Sequence, residues 1–303
     1  MNGNNNTVFI ISDIEGSSGC WDYRGSQFRT PEWARACAEM SRDVHAVVTA
    51  LFDAGAAAIY VKDFHRTGYN LQPELIDRRA HVIHGYRRGP VPGIGGTHRA
   101  GSLLMIGMHA ASGSGGFLAH TLTSRIARLE VNGKLMAEAE LFSASMAPYQ
   151  VRPIFISGCP VTCRQAEERI PGIGTWAIEK NQGPGSFDVS GWRSGLARAA
   201  AKSLCDNRTA IHRPEGPFRV LATMRDGVSE AARISKRWGL GNSGDTIEIN
   251  SPDMASLYLS LIRLCYLTPV IEKMLPAALT LFNVMGYAGL RWARKIQRAS
   301  GAV

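Results

Sequence analysis

Three short apolar runs in this 303-residue chain each end in side chains that bind divalent metals. Val8-Phe9-Ile10-Ile11 runs into Ser12-Asp13-Ile14-Glu15-Gly16, and Ala58-Ile59-Tyr60-Val61 runs into Lys62-Asp63-Phe64-His65. Leu103-Leu104-Met105-Ile106 runs into Gly107-Met108-His109. Carboxylates and imidazoles suit zinc, which in catalytic sites keeps one coordination position open for water. A pair of ions roughly 3.5–4 Å apart needs a carboxylate to bridge them. Asp13 is the natural bridge, since its short side chain sits at the strand end, and Glu15 points the same way two residues on. Glu138, near the start of a later helix, could complete a second site, although Glu140 competes with it and spacing does not separate the two. His120 follows a Gly/Ser loop at 112–116 and is the candidate for proton transfer.

Each of these residues has an ordinary reading when taken singly. An aspartate at a strand end is often a helix cap or a loop acceptor. His65 and His120 could be loop histidines bonded to carbonyls, and Glu138 a solvated helix residue. The argument lies in the convergence. In an open parallel sheet the carboxyl ends of the strands line one crevice, and ligands bind there.

The elements that would position these residues follow from the pattern. The runs are apolar throughout rather than alternating, as in strands of a parallel sheet covered on both faces. Thr30 caps a predicted helix that starts at Pro31 and runs to about Asp53, with Gly55 as its stop. Residues 66–101 read as irregular. Ile126–Val131 reads as a strand with a turn at Asn132-Gly133, residues 135–147 as a helix, and Pro153–Ile156 as a further strand followed by a helix. A helix over 191–205 closes this part, and 207–216 reads as a linker. Beyond it come Phe218–Ala222, a helix, Thr246–Ile249, and a helix from about Pro252. The expected fold class is α/β, with a mainly parallel sheet in a catalytic metal-binding unit over 7–206 and a smaller α+β unit over 214–303.

Composition narrows the function classes. Hydrophobic residues make up 45% and charged residues 19%, enough apolar material for a substantial core. The net charge of +9 raises nucleic acid as a partner, but no recognition motif and no dense basic run accompanies it. The six cysteines show no C-x-x-C pair and sit in apolar stretches, as reduced core thiols would. The first residues carry no positive charge and the first apolar run has only a strand's length, so a cytoplasmic protein is expected. Gly172-x-Gly174-x-x-Ala177 leads into a strand-like segment and is no dinucleotide site. Neither a Walker A sequence, a G-x-S-x-G elbow nor an H-E-x-x-H motif occurs.

Residues 269–303 form an apolar tail whose uncharged stretch at 275–290 is followed by Arg291, Arg294, Lys295 and Arg298 without an acid. Proline and glycine interrupt it, and it falls short of the roughly 20 residues a membrane span needs. A packed or oligomer-interface helix pair is the expectation, with a membrane-surface anchor as the less favoured reading.

In this order, Ser-Asp-Ile-Glu-Gly (12–16), Lys-Asp-Phe-His (62–65) with Asn70-Leu71, Gly-Met-His-Ala (107–110), Ala-His-Thr (119–121) and Val-Asn-Gly-x-x-x-x-Glu (131–138) resemble the D-aminopeptidase family of di-zinc metallopeptidases. The similarity covers roughly residues 7–265. It implies an α/β/α catalytic domain, a smaller α+β domain and a ring-shaped homo-oligomer, a decamer in the family's known member. It implies Asp13, Glu15, His65, His109 and Glu138 as ligands of two zinc ions, which selects Glu138 over Glu140, with His120 as the catalytic histidine. It also implies short peptides with an amino-terminal D-residue as substrates. Asn70 and Lys180 are expected to contact substrate. The sequence departs from the family at Phe142, where an asparagine is usual, and in the Asn-Gln-Gly-Pro-Gly-Ser-Phe segment after Lys180. The expected function is a two-metal amide or peptide hydrolase. The alternatives are a catalytically silent oligomeric assembly protein and a relative that acts on a non-peptide amide.

Overall fold

In the computed structural model, residues 6–181, 183–206 and 208–299 are described. Most of the expected frayed start (1–5), Asn207 of the expected linker and residues 300–303 of the tail lie outside them, as does Gln182.

Strand β1 (Thr7–Ser12) leads through a short helix α1 (Tyr23–Ser26) to the long helix α2 (Pro31–Asp53), then to β2 (Ala58–Asp63) and β3 (His81–Ile83). Strand β4 (Ser102–Met108) precedes the hairpin β5 (Ile126–Val131) and β6 (Lys134–Leu135), followed by α3 (Glu138–Met146). Then come β7 (Arg152–Gly158), α4 (Pro160–Arg169), β8 (Gly174–Ala177) and α5 (Val189–Cys205). The remainder is β9 (Phe218–Met224), α6 (Val228–Trp238), β10 (Gly241–Ser243), β11 (Thr246–Ser251), α7 (Met254–Tyr266), α8 (Pro269–Lys273) and α9 (Leu275–Ala299).

Six strands form one parallel sheet in the order β3-β2-β1-β4-β7-β8. The chain runs outward from β1 to β3 and then crosses back to β4, on β1's other side. That reversal is the topological switch point at which α/β sheets bind ligands. Along β1, Val8 and Ile10 enter a core with α2 and α5, while Phe9 and Ile11 enter a second core with α3 and α7. Both faces are therefore buried, and alternate side chains serve different layers. Helix α2 starts as expected: the Thr30 hydroxyl accepts from Trp33 N–H at 3.0 Å and Pro31 occupies the first turn.

Two features bear on how the expected units meet. Strand β5 does not join the parallel sheet. It pairs antiparallel with β9, giving a second sheet in the order β10-β11-β9-β5-β6, so the sheets interleave across the expected boundary at 207–213. The hairpin turn itself holds, with Asn132 and Gly133 at φ 50° and 76°. The tail also leaves the smaller unit. Helix α9 lies on α2, where Trp292 stacks on Trp33 at 6.3 Å. Residues 66–101 contain the edge strand β3, too short for periodicity to register.

Lys62 is the unusual core residue. Its Nζ donates to the Gly85 carbonyl and lies 5.8 Å from the centre of the Tyr86 ring. Burial, opposed by Asp63, brings its ammonium down from 10.5 to about 7. Between those values the unfolded chain binds a proton that the folded chain does not, so stability rises with pH across that window. Urea midpoints measured from about pH 7 to about pH 10 will show this gain as a difference between the wild type and Lys62→Met, the other titrating groups being common to both.

Candidate metal centre

The first loop is held against the fourth strand by close backbone contact. Asp13 N–H donates to Ile106 O and Gly16 N–H to Gly107 O, each at 2.8 Å. A Cβ on Gly107 would lie 2.1 Å from Asp13 O, and one on Gly16 would lie 2.2 Å from Met108 O. Only glycine permits this approach, and it sets Asp13 and Glu15 beside His109 at the end of β4. His65 arrives from the end of β2, and Glu138 is the first residue of α3, directed there by the β5–β6 hairpin.

The five expected ligands converge, and all are buried. Asp13 presents one carboxylate oxygen to each side: Oδ1 lies 3.1 Å from His65 Nδ1, and Oδ2 lies 3.3 Å from His109 Nε2. On the first side Glu15 Oε2 is 2.9 Å from His65 Nδ1, and on the second Glu138 Oε1 is 3.4 Å from His109 Nε2. Asp13, Glu15 and His65 form one group whose ligand atoms all lie within 4.8 Å of one another, and His109, His120 and Glu138 form another.

The hydrogen bonds of the three imidazoles fix their inward nitrogens. His65 Nε2 donates to Ser26 O at 2.9 Å, His109 Nδ1 to Ala110 O at 3.2 Å, and His120 Nδ1 to Leu118 O at 2.8 Å. A carbonyl only accepts, so in each neutral ring the other nitrogen carries a lone pair. For His65 and His109 that nitrogen faces the carboxylates. A histidine held by one nitrogen through a backbone carbonyl, with the other turned into a cluster of acids, is the arrangement of metal-ligating histidines. Glu15 Oε2 and His109 Nε2 are moreover buried and, despite these short approaches, are not aligned to form a hydrogen bond. The donor set therefore fits divalent cations.

Without a cation the centre holds protons instead. Burial would lower His65, but Glu15 and Asp13 push it up to about 10. Glu138 and Asp13 hold His109 well above its usual range against the same burial. Burial would raise the Asp13 carboxyl, yet His109 and His65 keep it well below the usual carboxylate range.

The remaining expected residues separate. His120, half-buried, stacks on His109 with ring centres 3.8 Å apart, and its backbone N–H donates to Ala110 O at 3.0 Å. Glu140 points elsewhere, to Arg169 at 3.1 Å and His212 at 3.7 Å. Asn70 does not fit a substrate contact: it is fully buried, its amide NH2 donates to Asp63 Oδ1 at 2.8 Å and His65 O at 2.7 Å, and its oxygen accepts from Trp33 at 2.9 Å. It secures the loop that carries His65. Lys180 is also tied to the protein, donating to Cys20 O at 2.6 Å and to Ser17 O, with burial lowering its ammonium to about 8. Phe142 packs edge-on against Phe64 at 4.7 Å.

Sequence reasoning missed Tyr266. Leu122, at φ 61°, donates its N–H to Glu138 Oε1 at 2.7 Å, while its carbonyl accepts from the Tyr266 hydroxyl. Tyr266 thus positions Glu138 through one residue, Leu122, a link that no spacing rule reveals.

This α/β fold gathers a buried carboxylate–imidazole centre at the carboxyl ends of its strands, a donor set suited to a divalent cation. Residues 7–261 match the family described as D-aminopeptidase, and the chain belongs to that family. It is similar to the D-aminopeptidase of Bacillus subtilis (strain 168), with 21% identity over 268 residues, covering 84% of this chain and 95% of that protein. Its fold is similar to a solved structure of a Zn-dependent D-aminopeptidase from Bacillus subtilis, described as a self-compartmentalizing protease. The TM-score is 0.77 at 19% identity, covering 85% of this chain and 96% of that one.

Tyr266→Phe will weaken metal retention about tenfold in chelator competition, in the range typical of residues that orient ligands. Tyr258→Phe is the control, since that hydroxyl donates to Pro92 O at 2.9 Å and touches no ligand-bearing loop.

Proposed function

We propose that this family member hydrolyses the amino-terminal amide bond of short peptides at a pair of zinc sites sharing Asp13. The carrying observation is the division of Asp13's two oxygens between His65 and His109. Asp13, Glu15 and His65 would hold one ion, and Asp13, His109 and Glu138 the other. Zinc is taken from the Zn-dependent structural relative and from the carboxylate–imidazole donor set. When bound, such a pair supplies Lewis acidity and brings the pKa of water down to about 7.

The chain's own residues do the rest. The Leu118 carbonyl fixes His120 Nδ1 as the donor, leaving Nε2 to accept a proton from the attacking water and, as the imidazolium so formed, to stabilise the developing oxyanion or pass that proton to the departing amine. The stack on His109 holds the ring plane. His120 is assigned this role rather than that of a ligand because it is half-buried, whereas the five ligands are enclosed. Lys180 has one donor beyond the two that clamp the 17–20 loop, and we assign that donor to a substrate carboxylate. The preference for a D-residue rests on the names of the relatives. A closed homo-oligomer, ring-shaped and decameric in the finer reading, rests on the relative's description as self-compartmentalizing. Among the described residues no helix is long and apolar enough to cross a membrane, and we place the protein in the cytoplasm. A catalytically silent assembly protein is not favoured, because nothing in assembly requires a complete buried donor set.

Two variants separate the roles. Asp13→Asn will lower bound zinc from about two per chain to less than about one, read by elemental analysis. His120→Ala will retain the zinc and lose about 10²–10⁴-fold in kcat on D-Ala-initiated peptides. Parallel loss of zinc in His120→Ala would make it a ligand instead. Full activity of zinc-free wild type would remove the metal mechanism.

A further inference from the structure

The tail leaves an apolar surface that the rest of the molecule does not cover. Among the large hydrophobic side chains exposed on the described residues, all but Tyr23, Tyr149 and Val228 fall between Tyr266 and Tyr287. Leu281 is 73% exposed, Val270 67% and Val284 60%. These residues are in or beside α8 and the first half of α9, outside the family-matched span 7–261. Helix α9 is not loose. Its inner face is seated on α2, where Trp292 stacks on Trp33 and the Gln297 amide donates to Ala34 O. A Cβ on Gly289 would lie 2.3 Å from the Phe28 ring. The exposed face is therefore held outward.

That face changes character along the helix. Leu281, Val284, Ala288, Arg291, Lys295 and Arg298 are all exposed and spaced three or four apart, which places them in one stripe. Its first half is apolar and its second half is cationic. Helix α9 contains no acid, and Arg294 beside the stripe meets Glu74 of another element at 2.8 Å. At the change-over Tyr287, Trp292 and the cations line an open depression of about 720 Å³.

Pairing with the same stripe of a second copy does not suit it. Parallel pairing would set cations against cations, and antiparallel pairing would set the cationic half of each helix on the apolar half of the other. An anionic lipid surface matches all three parts: acyl chains for the apolar half, the headgroup boundary for Tyr287, which is 53% exposed, and phosphates for the cations. We propose that α8 and α9 form a peripheral attachment site for anionic phospholipid membranes. The helix lies against the surface without spanning it, consistent with its packing on α2.

The test is co-sedimentation of the full-length protein with phosphatidylcholine vesicles, with and without phosphatidylglycerol. The wild type is expected to bind the phosphatidylglycerol vesicles, to bind phosphatidylcholine more weakly, and to dissociate as salt is raised. Leu281→Glu/Val284→Glu and, separately, Arg291→Glu/Lys295→Glu are each expected to lower binding about tenfold or more, with peptidase activity and sedimentation mass unchanged. The proposal is overturned if the wild type ignores anionic vesicles or if both double variants bind as the wild type does. A lower mass for Leu281→Glu/Val284→Glu would overturn it too, since a second copy would then cover the face.

Discussion

The structure turns on one carboxylate shared between two imidazoles. Asp13, Glu15 and Glu138 bring three acids into an enclosed space with His65 and His109. Isolated buried carboxylates are strongly unfavourable, and attraction compensates only when the opposing charge is close and well oriented. Imidazolium protons supply part of that charge in the metal-free chain, which is why both histidines are held above their ordinary range. A divalent cation held there would supply it more completely and use the same lone pairs. Metal binding here is thus an exchange of protons for ions, and affinity follows the deprotonation of these rings.

Everything near Asp13 serves to keep that crowding in place. Gly16 and Gly107 let the first loop and the end of β4 meet backbone to backbone. Asp63, at the end of β2, accepts from the backbone of Asn70 and Leu71 at 2.5 and 2.7 Å, which ties down the loop bearing His65. The segment after His109 folds back so that His120 covers the His109 ring, and Leu122 then reaches Glu138.

Much of this was legible in the sequence because it is local. An apolar run ending in a ligand type predicts both a strand and the rim on which the residue sits, and β1, β2 and β4 follow that rule. The Thr30-Pro31 start of α2 and the Asn132-Gly133 turn carry their own chemistry. What was not legible depends on partners distant in the chain. Glu138 and Glu140 differ only because Arg169 and His212 take the latter. Asn70 resembles a substrate contact until Trp33, Asp63 and the His65 carbonyl are seen to use its amide. The apolar pattern of Ile126–Val131 identifies a strand but not its sheet, since its neighbour β9 lies about ninety residues on.

That last pairing has a bearing on how the molecule holds together. The hairpin that delivers Glu138 is a strand of the antiparallel sheet, bonded along β9, although the residues it serves belong to the parallel one. The C-terminal third donates none of the five buried ligands. It is nonetheless the wall against which one of them is braced. A chain cut at the apparent linker would keep all five of these side chains and lose the strand along which the hairpin that aims Glu138 is bonded, so the two sheets are joined at this site.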